Sequence, residues 1–163
     1  MQTVLAAVQV LRAQGWHITD RKLRAGLSNV KSMTGLAGRW HILSLNPMVV
    51  CDTGHNEAGI REVLKNLDTT PYARLHMVIG MVSDKDVSKV LSMLPKHATY
   101  YYCAPNILRG LPQQELAAHG NAIGLKGKSY SSVADALLAA REKAQPKDLI
   151  FIGGSTFVVA EIL

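Results

Sequence analysis

Met48-Val49-Val50-Cys51-Asp52-Thr53-Gly54-His55-Asn56-Glu57-Ala58-Gly59-Ile60 is the stretch whose reading decides the fold. Its first four residues are apolar and rich in valine, which predicts a buried strand. Asp52 and a tight turn at Thr53-Gly54 follow, and then Ile60, Val63, Leu64 and Leu67 recur at helical spacing. Strand, turn and helix in that order make the repeating unit of an α/β domain. Open α/β sheets bind ligands at the carboxyl ends of their parallel strands, which is where Asp52 to Asn56 fall. Backbone N–H groups at the start of the helix suit an anion there. The same residues also serve a plainer need, in which Asp52 or Asn56 caps the helix.

Outward from this unit the pattern repeats. Trp40 to Leu45 alternates weakly, ends at the turn signal Asn46-Pro47, and is expected to pair with the Met48–Cys51 strand. Leu75 to Met81 reads as a strand, and Asp84 to Leu94 as a helix with Val87, Val90, Leu91 and Leu94 inward. Thr99 to Cys103 is a tyrosine-rich strand, and Gln113 to His119 a helix opened by Pro112. A short strand is expected through Ala122-Ile123. Ser131 or Ser132 caps a helix carrying Val133, Leu137, Leu138 and Ala140. Asp148 to Ile152 is a strand, and Gly153-Gly154-Ser155-Thr156 leads into a final helix. This alternation predicts an α/β fold with a Rossmann-like, mostly parallel sheet flanked by helices.

The first residues differ. Val4, Val8 and Leu11 share one helical face, Gly15 ends that helix, and Thr19 caps a second short one with Leu23 and Leu27. Ser28 to Gly38 reads as a linker. Residues 1–34 are therefore expected to be a short helical appendage plus linker, and residues 35–163 the α/β domain. Leu5, Val8, Leu11, Leu23 and Leu27 would leave an apolar surface that needs a partner.

Composition narrows the function. A chain of 163 residues that is 48% hydrophobic holds one ordinary core. No run approaches the ~18–20 apolar residues of a membrane span, so no membrane partner is expected. The opening Met1-Gln2-Thr3-Val4 lacks a secretory signal, and Cys51 and Cys103 sit in apolar runs. They read as buried thiols of a reducing cytosol, so a cytoplasmic location is expected. The net charge of +6 is scattered, with one dense group at Arg21, Lys22 and Arg24 and no aromatic-basic interleaving, which argues against nucleic acid. A positive field suits ATP or a polyanionic substrate equally well.

Four polar or glycine-rich strand ends share one edge of such a sheet: Asp52 to Asn56, Gly80 to Asp86, Ala104-Pro105-Asn106 with Arg109 beyond, and Gly153 to Thr156. There is no G-x-x-x-x-G-K-[ST] and no G-x-G-x-x-G, so neither phosphate fingerprint is present. Asp84, Lys85 and Asp86 more simply start a helix than bind a ligand. His41, His76, His97 and His119 lack metal-ligand spacing and read as structural or surface groups, and no metal site is expected. Ser155 lies outside a G-x-S-x-G elbow.

Taken in order, these motifs resemble a family. Gly38-Arg39-Trp40 is followed, 13 residues after Arg39, by the Asp52-Thr53-Gly54-His55-Asn56 turn. Ser83-Asp84-Lys85-Asp86, Arg109-Gly110-Leu111-Pro112 and Gly153-Gly154-Ser155 complete the set. From about Gly35 onward the chain resembles the carboxyl-terminal domain of the folylpolyglutamate synthase/dihydrofolate synthases, within the Mur ligase superfamily. Residues Gln2 to Val30 resemble the last helices of that family's preceding ATPase domain.

The resemblance implies an ATP- and Mg2+-dependent ligase that activates a carboxylate as an acyl phosphate for attack by L-glutamate. The missing amino-terminal ATPase domain would be the partner, holding the P-loop, the metal ligands and most of the folate or dihydropteroate site. Carried onto this chain, Arg39 and His55 would be catalytic, and Arg39, Asp52, His55 and Asn56 would bind ATP. Arg39 would sit at the phosphates and Asp52 at the ribose. Ser155, Lys85 and Arg109 would face substrate, with Ser155 near the incoming glutamate. The chain would be inactive alone. The alternatives are the same domain of a peptidoglycan Mur ligase, or a stand-alone nucleotide- or anion-binding module.

Overall fold

The computed structural model of the chain describes residues 2–83 and 86–163. Asp84 and Lys85, expected at a helix start, lie outside the described residues. The chain separates into a unit ending at Ala37 and a second unit, Gly38–Leu163.

The first unit holds helices α1 (Gln2–Ala13), α2 (Asp20–Ser28) and α3 (Val30–Thr34). Thr19 caps α2 by accepting the Lys22 N–H at 3.3 Å, and Arg12 ties α1 to Asp20 at 2.7 Å. The third helix corrects the linker reading of Ser28 to Gly38. Five residues are too few to display a 3.6-residue period, so its sequence shows only the glycine that ends it. That glycine, Gly35, takes a φ of 68°, and its N–H donates to the Lys31 carbonyl. No residue of these helices is buried, and Val4, Leu5, Val10, Trp16 and Met33 stand exposed.

The second unit is built on a six-stranded sheet in the order β1-β2-β6-β3-β4-β5. Its strands are β1 (His41–Leu45), β2 (Met48–Asp52), β3 (Leu75–Gly80), β4 (Thr99–Cys103), β5 (Gly127–Ser129) and β6 (Leu149–Gly153). The β1–β2 hairpin is antiparallel, as its turn predicts, and every other pairing is parallel. The helices between the strands are α4 (Glu57–Thr69), α5 (Val87–Met93), α6 (Gln113–Ala122) and α7 (Val133–Lys143), and α8 (Thr156–Ala160) follows the last strand.

Side chains alternate across the sheet and build two cores. On one face Leu75, Met77, Ile79, Tyr100, Tyr102, Leu149 and Phe151 pack under α4, α5 and α6. On the other, Val49, Cys51, Val78, Tyr101, Cys103, Ile150 and Ile152 pack under α7 and α8. Ala136 and Ala140 on α7 let that helix lie close to the sheet. Both cysteines are buried, and burial followed by the nearby Glu161 pushes the Cys103 thiol up to about 12. It is an inert core group.

One expected strand is corrected. Ala122 is the last residue of α6 and Ile123 follows it as the cap, so the apolar pair closes a helix. The Asn121 side chain then folds the chain over, donating to the Gly127 carbonyl at 3.2 Å and accepting its N–H at 3.0 Å. The strand starts only at Gly127, whose missing Cβ is what lets it lie against the Tyr100 backbone.

Candidate functional site

The parallel strands β2, β6, β3 and β4 end side by side at Asp52, Gly153, Gly80 and Cys103. Everything the sequence singled out for chemistry follows from what happens in the next few residues.

After β2, Asp52 is almost buried, and its carboxylate accepts the Trp40 N–H at 2.6 Å and the Gly54 N–H at 2.8 Å. The Thr53 N–H donates to the Gly38 carbonyl at 2.8 Å. The lead-in Gly38-Arg39-Trp40 is thus stitched to the turn on both sides of Arg39, whose own side chain is exposed. Gly38 has to be glycine, because its φ is 76° and a Cβ would sit 2.9 Å from Thr53 Cγ2. The sequence offered helix capping as a plain role for Asp52 or Asn56. Asn56 takes it, accepting the Gly59 N–H at 2.9 Å at the start of α4. Asp52 instead organises the turn.

His55 lies between them, half-buried, with Nδ1 3.0 Å from the Thr53 carbonyl. A carbonyl only accepts, so Nδ1 carries the proton and Nε2 is the nitrogen left to meet a ligand.

After β3 the chain pairs with the loop that follows β4. Val82 bridges Gly110, the Ser83 N–H donates to the Arg109 carbonyl at 3.0 Å, and the Leu111 N–H donates to the Met81 carbonyl at 2.9 Å. This short antiparallel clasp carries Arg109 back over the strand ends. Its guanidinium lies 5.0 Å from the centre of the Phe157 ring, within cation–π range.

After β6, Gly154 takes a φ of 90°, with its would-be Cβ 2.7 Å from the Gly80 carbonyl oxygen. Only glycine turns the chain there. Ser155 follows, 2% exposed, and its Oγ accepts the Phe157 N–H at 3.2 Å. The hydroxyl hydrogen remains available to donate.

His55, Arg109, Ser155, Val82, Thr156 and Phe157 line one cleft of about 280 Å³. Three predicted site residues, distant in sequence, therefore meet. Asn56 faces a neighbouring cleft that shares His55 and is completed by Glu57, Asp86, Lys89 and Val90. Arg39 and Asp52 belong to the same strand-end rim without lining either cleft. Lys85 is outside the described residues.

Two features of the rim escaped the sequence. Phe157 reads there as an ordinary apolar residue of the last helix, yet it seats Arg109. Lys89 pairs across to Glu57 at 2.6 Å, and Glu57 also bonds Arg61. Lys89 and Arg61 hold the Glu57 carboxyl below its usual range, and Glu57 holds the Lys89 ammonium above its own. Asp86 caps α5 by accepting the Lys89 N–H at 3.1 Å.

The donor set suits an anion: a guanidinium, an imidazole and a hydroxyl. Among the described residues no group of three His, Cys, Asp or Glu side chains is placed to hold a metal ion. Nor, among them, is any helix long and apolar enough to cross a membrane.

Residues 38–156 match the family described as Mur ligase, glutamate ligase domain. The chain is 33% identical over 160 residues to a protein from Escherichia coli K12 named dihydrofolate synthase/folylpolyglutamate synthase, covering 96% of this chain and 36% of that one. It superposes with a TM-score of 0.80 and 30% identity on the E. coli FolC complex with DHPP and ADP, again over 96% of this chain and 36% of that one. A bifunctional folylpolyglutamate synthase/dihydrofolate synthase with Mn, AMPPNP and L-glutamate bound gives a TM-score of 0.80 at 27% identity, with 96% and 37% covered. The chain thus spans little more than a third of the length of these relatives.

Proposed function

Because the chain belongs to the Mur ligase family through its glutamate ligase domain, we propose that it is the carboxyl-terminal domain of a cytoplasmic, ATP-dependent ligase joining L-glutamate to dihydropteroate or folate. The observation that carries this reading is the gathering of His55, Arg109 and Ser155 in one cleft at the carboxyl edge of the sheet. The folate ligases among the relatives above support the folate branch over a peptidoglycan ligase.

ATP supplies the phosphoryl group that turns the pteroyl carboxylate into an acyl phosphate, from which the glutamate amine displaces phosphate. This chain's residues bind and orient. Arg109, fixed by the clasp and by Phe157, offers a fork of donors to a glutamate carboxylate, and the Ser155 hydroxyl donates beside it. His55 presents Nε2 to the same cleft. Arg39, exposed on the rim, is free to reach phosphates carried by the facing domain, where a delocalised cation stabilises spreading negative charge. The Asp52 carboxylate already accepts two N–H groups and keeps lone pairs for a ribose hydroxyl. Mg2+ would be held by the ATPase domain, as the resemblance to the folate ligases implies.

The test is an enzyme assembled from this chain and a folate-ligase ATPase domain. Arg109→Gln and Ser155→Ala should each raise the KM for glutamate by about tenfold or more, the loss of one charge-assisted or hydroxyl contact. Unchanged glutamate KM in both variants would remove the cleft from substrate binding. The chain alone, given ATP, Mg2+, dihydropteroate and glutamate, should turn nothing over.

A further inference from the structure

The largest concavity among those described lies at the opposite edge of the sheet, where the parallel strands begin. It encloses about 520 Å³, against about 280 Å³ for the cleft beside Ser155. Arg74, Lys126, Lys128 and Lys143 surround it, and no Asp or Glu lines it.

The topology forces this convergence. Arg74 precedes β3, Lys126 and Lys128 flank Gly127 at the start of β5, and Lys143 is the last residue of α7. Lys128 is the cross-strand partner of Tyr101, and the Tyr101 hydroxyl is 3.0 Å from His76 Nδ1 on the next strand. Tyr130 stacks on Tyr101 at 5.7 Å and adds an aromatic wall.

None of the four cations has an ion-pair partner among the described residues. Other surface cations do: Arg12 pairs with Asp20, Lys65 with Glu62, and Arg61 and Lys89 with Glu57. Asp148, which bonds the His76 of this wall, is buried and already accepts from His76 at 3.2 Å and from the Gln145 N–H at 2.8 Å. Lysines do guard edge strands, and a cation does complement the carbonyl end of α7. Those needs explain each charge singly. They do not explain four like charges around a concavity lined by tyrosine and histidine, where a bound anion would offset their mutual repulsion.

We infer that this concavity is a second anion site that takes a compact small-molecule polyanion, either a polyphosphate or a polycarboxylate. Its volume of about 520 Å³ suits a small molecule. The inference does not rest on the ligase reading, because no residue of the cleft at the other edge takes part.

The test titrates the 15N-labelled chain with inorganic tripolyphosphate and, separately, with citrate, holding ionic strength at about 0.15 M to screen diffuse attraction. The amides of Arg74, Gly127, Lys128 and Tyr130 should shift saturably with at least one probe, at a Kd below about 1 mM. Lys126→Gln/Lys128→Gln should weaken that binding by about tenfold or more, as for loss of two charge-assisted contacts. Lys143→Gln is a second variant on a separate element and should weaken it too. Saturation by tripolyphosphate alone identifies a phosphate-bearing ligand, and saturation by citrate alone a carboxylate-bearing one. Absence of saturation with both probes, or affinity unchanged in both variants, overturns the site.

Discussion

The two edges of the sheet treat polar residues in opposite ways. At the carboxyl edge, Asp52, Asn56, His55 and Ser155 each bond a backbone group of the strand-end turns. At the amino edge, buried His76 bonds both Tyr101 and Asp148, while the charges stay outside on lysine and arginine. Burial and then the nearby Tyr130 and Asp148 push the Tyr101 phenol up to about 12, so it remains a donor at ordinary pH. His76 bridges the pair, with Nε2 3.2 Å from the Asp148 carboxylate and Nδ1 3.0 Å from the Tyr101 hydroxyl. On the proposed function one edge exchanges ligand, while the bonds at the other hold strands β3, β4 and β6 together. Their variants should therefore separate function from stability.

The largest effect should come from Arg39→Ala in the assembled enzyme. Losing one charge-assisted contact to a developing charge costs about 3–4 kcal/mol of barrier, a fall in turnover of about 10²–10³-fold. The side chain is exposed, so the melting temperature should barely change. Steady-state rates and a thermal melt on the same preparation check both halves. Normal turnover would strip the carboxyl edge of its distinguishing feature.

Next in size is Gly154→Val, expected to lose roughly 2–4 kcal/mol of stability. The new side chain would sit at a φ of 90° with its Cβ 2.7 Å from the Gly80 carbonyl oxygen. A denaturant midpoint reads it. A variant as stable as the parent would mean that the strand-end loop yields easily, and the cleft would then not be preorganised.

How much of this was legible in the sequence differs between the same two edges. The carboxyl edge announced itself through local chemistry: Gly38-Arg39-Trp40, the Asp52 turn and Gly153-Gly154-Ser155 are contiguous signals that strand–turn–helix periodicity orders along one rim. The sheet, the hairpin partner of β2 and the buried cysteines followed from period and burial alone. What could not be read was pairing between elements. Nothing near Lys89 in sequence points to Glu57, and nothing near Phe157 points to Arg109. His76 read as a structural or surface residue because its partners Asp148 and Tyr101 lie 72 and 25 positions away. Lys126, Lys128, Lys143 and Arg74 looked scattered for the same reason. The α3 helix was missed because capping, not periodicity, defines five residues.

At the amino edge, His76→Phe should cost about 1–3 kcal/mol, since it leaves a buried phenol and a buried carboxylate each short of a partner. Turnover of the assembled enzyme should not change. Asp148 adds a pH signature. Burial by itself would raise its pKa, but the Gln145 N–H and the His76 ring outweigh that and hold it below the usual carboxylate value. A carboxyl group depressed on folding stabilises above its unfolded pKa, and the contribution fades as pH falls through its folded pKa. Wild-type stability should thus decline below about pH 4, whereas Asp148→Asn should be weaker at pH 7 and flatter in acid. Denaturant midpoints across pH measure it. A catalytic defect in a stable His76 variant would break the division between the edges.

The smallest effect is the sharpest test of the carboxyl edge, because Asn56 has two readings there. The resemblance assigns it to the nucleotide; the geometry gives its Oδ1 to the Gly59 N–H as the cap of α4. Asn56→Ala removes both roles and should cost about 1 kcal/mol of stability. Asn56→Asp keeps an oxygen for the cap, and its charge is favoured at a helix N-terminus, so stability should hold. The substitution also replaces the amide N–H donors with a carboxylate. If Asn56 only caps, the aspartate variant should keep the parent's KM for ATP in the assembled enzyme. If its amide touches the nucleotide, the same variant should be stable yet bind ATP more weakly, since a carboxylate would then face phosphate or an acceptor on the base. A stable variant with a raised KM would place Asn56 with Arg39 on the functional side of the rim, and an unchanged KM would leave it with Asp52 as a residue that shapes the turn.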